Sequence, residues 1–102
     1  MVARGEIWWG ETPDEKGRPF LVVSRDSANA VKQRVLVAPV SRRIREIPSE
    51  LALGAEEGLP HPSVASFDNL RPMPKSMLVR RLGSLGSRLH EICRVAGASL
   101  VC

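Results

Sequence analysis

The chain has 102 residues, 43% of them hydrophobic, which is the size and mix of one small globular domain spanning residues 1–102. No stretch approaches about 18 consecutive apolar residues, and the opening Met1-Val2-Ala3-Arg4-Gly5-Glu6 lacks the apolar segment and cleavage site of a secretory leader. A soluble cytoplasmic protein with no membrane segment is therefore expected. Two cysteines, Cys93 and Cys102, with no Cys-x-x-Cys, are too few for a disulfide framework or a metal site, so neither disulfide, metal nor cofactor is expected.

The net charge of +4 is unevenly distributed. Residues 18–45 carry +6, residues 46–70 carry −5 and residues 71–102 carry +5. Twelve of the fifteen bases are arginine, whose planar fork pairs with phosphate in a bidentate way that a lysine ammonium cannot. This pattern favours a polyanionic partner over a merely solvated basic surface.

Read in chain order, Glu6-Ile7-Trp8-Trp9 begins a first strand, and Gly10 to Gly17 reads as a charged, turn-rich loop. Pro19 to Ser24 is almost continuously apolar, as in a central strand covered on both faces. Arg34 to Ser41 reads likewise, with Pro39 marking an edge, a bulge or a strand end because it has no N–H for the ladder. Ile47 to Leu53 alternates as a half-exposed strand, and Gly54 to Pro62 is a loop. Ser63 to Leu70 is a fifth strand stopped by Pro72 and Pro74, and Met77 to Leu82 a sixth. From Ser87 the period changes: Leu85, Leu89, Ile92, Ala96 and Leu100 form one stripe of an amphipathic helix that Ser87 could cap. Cys93, beside that stripe, reads as a small core residue. The fold class is mainly β with short helices (α+β): a small, strongly bent sheet or barrel with a C-terminal helix against it.

No GxSxG, P-loop, GxGxxG or HExxH motif is present, which removes several enzyme classes. His61, in Pro60-His61-Pro62, reads as an exposed loop residue, and His90 lies off the helical stripe. Neighbouring strand residues point to opposite faces, so Trp8 and Trp9 cannot enter one core, and Asp68 and Asn69 are separated in the same way.

The chain does carry an ordered set of segments: Arg4-Gly5-Glu6-Ile7-Trp8, Arg18-Pro19-Phe20-Leu21-Val22-Val23-Ser24, Val37-Ala38-Pro39-Val40-Ser41, Gly58-Leu59-Pro60-His61-Pro62-Ser63-Val64, Asp68-Asn69-Leu70-Arg71, then Lys75 and Leu82-Gly83-Ser84-Leu85. In this order and spacing the sequence resembles the MazF/PemK-type toxin endoribonucleases of type II toxin–antitoxin systems over nearly its whole length. The resemblance implies a small SH3-like barrel forming a homodimer whose groove takes single-stranded RNA. It implies metal-independent cleavage to 2′,3′-cyclic phosphate and 5′-hydroxyl ends, and a cognate antitoxin whose acidic segment occupies the groove. It assigns the catalytic positions to Arg18 and Ser41. Arg18 suits electrostatic stabilisation of a phosphorane, since the substrate's own 2′-hydroxyl is the nucleophile and little else need be supplied. Ser41 would orient the scissile phosphate. The group that takes the 2′-hydroxyl proton is left unassigned.

Candidate RNA contacts are Arg4, Trp8, Arg42, Asp68, Asn69 and Arg71, with Asn69 reading a base edge and a tryptophan available for stacking. The first loop is shorter than in many members of that family, which bears on base preference and on how an antitoxin segment would lie. A non-catalytic module on the same scaffold, a gyrase inhibitor-like toxin or a generic RNA-binding barrel, is the alternative.

Overall fold

The computed structural model describes residues 1–97. Seven strands, β1 (Glu6–Thr12), β2 (Glu15–Val22), β3 (Arg34–Ser41), β4 (Glu50–Leu53), β5 (Ser63–Ser66), β6 (Arg71–Pro74) and β7 (Leu78–Ser84), form one curled sheet. Its order is β4-β5-β3-β2-β1-β7, with β6 pairing to β3 beside that path. Among the described residues two short helices accompany it, α1 (Asp26–Asn29) and α2 (Glu91–Ala96). Among the described residues no helix is long and apolar enough to cross a membrane.

The continuous apolar run of β2 is buried on both faces. Leu21 joins one core cluster with Ile7, Ala38, Val40, Leu51, Ala65 and Ile92, while Phe20 and Val22 join another with Val35, Val37 and Met73. Alternation along the strand sends successive side chains to opposite layers, and the curl of the sheet closes each layer.

The turn of β3 depends on Pro39. Residues 34–37 pair with β6 and residues 40–41 pair with β5. Pro39 falls between the two ladders, where a missing N–H breaks no bond to either, so the strand changes neighbours there and carries its end round the barrel.

Three local expectations are corrected. Gly10–Gly17 is largely strand: β1 and β2 continue to Thr12↔Glu15 and leave only Pro13 and Asp14 as the turn. The strand begun at Ser63 ends at Ser66, and Phe67–Asn69 form a 3-10 turn; the prolines thought to stop it lie within β6, an edge strand that tolerates them. The terminal helix does not run from Ser87. A 3-10 turn at Gly86–Arg88 comes first, and neither it nor α2 has a side-chain cap. Leu85 and Ile92 are buried, Leu89 is 42% exposed, and Leu100 lies outside the described residues, as does Cys102. Cys93 is exposed rather than a core residue.

The segments around Gly58 and Gly83 meet back to back. A Cβ on Gly83 would lie 2.0 Å from the Glu57 carbonyl oxygen, and one on Gly58, whose φ is +93°, would lie 2.2 Å from that of Leu82. Only glycine allows two backbones this close.

α2 is held to the sheet by charge as well as by Ile92. Arg88 pairs with Glu91 at 2.6 Å and with the buried Glu57 at 3.1 Å, and its Nη2 donates to the Ala52 carbonyl at 2.9 Å. Hydrogen bonds from Arg88 and Arg94 hold the Glu91 carboxyl at about 2, against an ordinary 4.5. A lowered carboxylate pKa stabilises the fold above the unfolded value, and that contribution is lost as pH falls through the folded one. Stability is therefore expected to decline between pH 4.5 and about 2, and Glu91→Gln to flatten that segment of a denaturant-midpoint-against-pH curve.

Candidate functional site

β2 and β3 pair as Phe20↔Pro39, Leu21↔Ala38 and Val22↔Val37. Beyond that ladder Arg18 pairs with Gly10 of β1 and Ser41 with Val64 of β5, and the Arg18 side chain reaches the end of β3 at Val40. Arg18 and Ser41 both line two adjoining open grooves, of about 740 and 680 Å3, and so stand on the boundary between them.

Arg18 is partly buried. Its Nη2 donates to the Val40 carbonyl at 3.1 Å, which fixes the guanidinium, while its buried Nε has no partner among the described residues. An unsatisfied buried donor costs about 1–3 kcal/mol, a cost that an oxygen of a bound anion would remove. The Ser41 Oγ accepts from the Arg43 N–H at 3.0 Å. Its own hydrogen is left to donate toward the groove.

The first groove is walled by the end of β3, by β5 and by the 3-10 turn at residues 67–69, which brings Asp68, Asn69 and Arg71 to the pair. Because this segment is a turn and not a strand, Asp68 and Asn69 line the same groove. Asp68 Oδ2 accepts from Ser49 Oγ at 2.7 Å, and Asn69 Nδ2 donates to Ser66 Oγ at 3.0 Å. Arg71 pairs with Glu15 and lies 5.0 Å over the Phe20 ring, and its Nε too is buried without a partner among the described residues. Arg45 pairs with Glu50 at 2.9 Å; desolvation opposes ionisation of that carboxyl, but hydrogen bonds from the Arg45 N–H and side chain bring its pKa below the ordinary value.

The second groove is walled by the β1–β2 hairpin, by Arg42, by the Gly58–Ser63 segment and by Arg80 and Leu82 of β7. Of the two tryptophans, Trp9 lines it. Its indole lies against Gly17, where a Cβ would come within 2.4 Å of the ring nitrogen, and that nitrogen donates to Glu11 at 3.1 Å. Trp8 packs instead on the core cluster around Phe20 and Val22, with its N–H on Glu6 at 3.0 Å. Arg4 is also elsewhere: its backbone N–H donates to Asp26 at 2.7 Å and its Nη2 to Cys93 Sγ at 3.3 Å, beside α2.

Among the sequence-predicted residues, then, Arg18, Ser41, Arg42, Asp68, Asn69 and Arg71 come together, and Arg4 and Trp8 stand apart. Trp9, Arg43, Arg45 and His61 belong to the walls and were missed. Strand parity separates the two tryptophans but does not say which faces the groove, and a histidine between two prolines gives no hint of its neighbours.

Around the two grooves seven Lys and Arg side chains face three carboxylates. Each carboxylate is engaged, Glu15 by Arg71, Glu50 by Arg45 and Asp68 by Ser49. The field favours an extended anion, and the boundary offers a fixed guanidinium and a hydroxyl donor to one of its phosphates. Among the described residues no three His, Cys, Asp or Glu side chains are grouped to hold a metal ion.

Residues 3–96 match the family model described as PemK-like, MazF-like toxin of type II toxin–antitoxin system. A curated relative, "Probable endoribonuclease MazF5" of Mycobacterium tuberculosis, is 36% identical over 104 aligned residues, covering 100% of this chain and 95% of the relative. The solved structure of the Mycobacterium tuberculosis toxin MazF-mt6 superposes with a TM-score of 0.79 at 30% identity, covering 89% of this chain and 90% of that one. A MazE–MazF crystal structure from Deinococcus radiodurans gives 0.76 at 26% identity, covering 94% and 91%.

Proposed function

This chain belongs to the family of PemK-like, MazF-like toxins of type II toxin–antitoxin systems, and on that premise we propose that it is an endoribonuclease cutting single-stranded RNA at the boundary between its two grooves. The observation that carries the reading is that Arg18 and Ser41 both line the two basic grooves. The 2′-oxygen attacks the adjacent phosphorus, the bond from phosphorus to the 5′-oxygen breaks, and a 2′,3′-cyclic phosphate and a 5′-hydroxyl result. Arg18 stabilises the charge that builds on the non-bridging oxygens, and Ser41 orients the phosphate by hydrogen bonding. No metal takes part in these steps.

Single-stranded RNA enters with its phosphates on Arg42, Arg43 and Arg71 and its bases toward Trp9 and Asn69. Stacking on an indole and hydrogen bonding by an amide are the usual means of reading unpaired bases. A MazE-like antitoxin with an acidic segment would compete for the same basic surface, and the relative from Deinococcus radiodurans crystallised with MazE supports that partner. A homodimer extends the groove across two copies.

The test is incubation of the purified protein with a long, weakly structured RNA in EDTA, with the 5′ ends of the fragments mapped. Discrete cuts bearing 5′-hydroxyl ends are expected, and their rate should fall with rising salt as phosphate contacts are screened. RNA left intact across several substrates would overturn the reading.

A further inference from the structure

His61 lies in the segment leading into β5 and lines the 680 Å3 groove that Arg18 and Ser41 share. Pro60 and Pro62 restrict the backbone on both sides of it, and its carbonyl accepts from Ser63 Oγ at 2.9 Å, so the exposed side chain stands on a stiff support. His90, the other histidine, stands just before α2 and lines neither groove.

The reaction needs a group that accepts the 2′-hydroxyl proton. Guanidinium groups do not serve, since arginine stays protonated. The three groove carboxylates are engaged by Arg71, Arg45 and Ser49. An imidazole both accepts and donates protons near neutral pH and is the commonest general base in enzymes. We propose that His61 is the acid–base residue of this site. The inference rests on the endoribonuclease reading above. As the 2′-oxygen forms its bond to phosphorus, its proton passes to a ring nitrogen of His61. The bond to the 5′-oxygen breaks with its electron pair, that oxygen takes a proton from water, and the imidazolium returns its proton to the hydroxide so formed.

The charged groups sharing this wall with His61 are Glu15, Lys16 and Arg18 of β2, Arg42 beyond β3 and Arg80 of β7. A limb of the pH–rate profile that is lost in His61→Gln and not in variants of these neighbours therefore reports the imidazole.

The experiment measures kcat and KM from about pH 5 to 9 for the wild type, His61→Gln and the control His90→Gln, on a short RNA containing one mapped cut. His61→Gln is expected to lower kcat about 10²-fold, to abolish the near-neutral limb and to leave KM within about twofold, with added imidazole restoring part of the rate. His90→Gln should match the wild type. Unchanged kcat and an unchanged limb in His61→Gln would overturn the assignment. So would a loss confined to KM, or a lowered rate that keeps the limb and ignores imidazole. The side chain is exposed, so the variant should melt with the wild type; if it does not fold, His61→Asn carries the same test. A wild type that leaves RNA intact removes the endoribonuclease reading and the assignment with it, whereas cutting by the wild type and His61→Gln at the same rate removes the assignment alone.

Discussion

Replacing Arg18 by alanine is expected to lower kcat for RNA cleavage by about 10²–10³-fold while the protein stays folded. The magnitude follows from the work assigned to the residue. Cleavage by an internal 2′-hydroxyl requires no metal and no covalent intermediate, so the protein's main contribution is to stabilise charge on the phosphoryl oxygens as the phosphorane forms. A guanidinium tied at Nη2 to the Val40 carbonyl, with a buried Nε still unpaired among the described residues, is pre-oriented for that task. That pre-orientation separates it from the exposed Arg42 and Arg43. Removing either of those should weaken binding and the salt dependence more than kcat. Lysine at position 18 would keep the charge and lose the fork, and should recover only part of the rate. Undiminished cleavage by Arg18→Ala, measured by single turnover, would remove the residue from the reaction.

Gly83→Ala has the largest effect expected on the fold itself. The added Cβ would sit 2.0 Å from the Glu57 carbonyl oxygen and 3.1 Å from Gly58 Cα, so β7 and the turn at residues 55–57 must move apart. The obstacle is backbone, which cannot rotate out of the way as a side chain would. Moving that turn also disturbs Glu57, which is buried, accepts from the Gly54 N–H at 2.7 Å and pairs with Arg88. A loss of about 2–3 kcal/mol is expected from overpacking together with disturbance of the half-buried Glu57–Arg88 pair, a large share of a small domain's stability. Urea denaturation of Gly83→Ala beside the wild type checks this, and a midpoint unchanged within error would show that the close approach carries no weight. The same change tests the groove, because Gly58 and Leu59 line it.

The apolar runs told most about the sheet. β2 and β3 are legible because burial on both faces demands uninterrupted apolar sequence, and their antiparallel pairing brings the start of the apolar run of β2 beside the end of β3. The segments around Gly58 and Gly83 were recognisable as motifs; only their meeting explains why neither can carry a side chain. The hairpin at Pro13-Asp14 was hidden because Gly10 to Gly17 is polar, and a ribbon paired through its backbone needs no apolar residues of its own. β6 was hidden by its prolines, which an edge strand accommodates.

What the sequence by itself determined was a small, mostly β protein with arginine-rich segments and a recognisable order of motifs, since these depend on local period, composition and spacing. Tertiary structure decided which side chains share the groove. The pairing of β1 with β7 slips between Ile7 and Trp8 and again between Trp9 and Gly10, and Trp9 lines the groove while Trp8 packs on the core. The 3-10 turn at Phe67–Asn69 gathers Asp68 and Asn69 onto one wall, and the chain before β5 carries His61 to the other. These outcomes depend on bulges, turns and the packing of segments distant in sequence, for which a linear pattern carries no period.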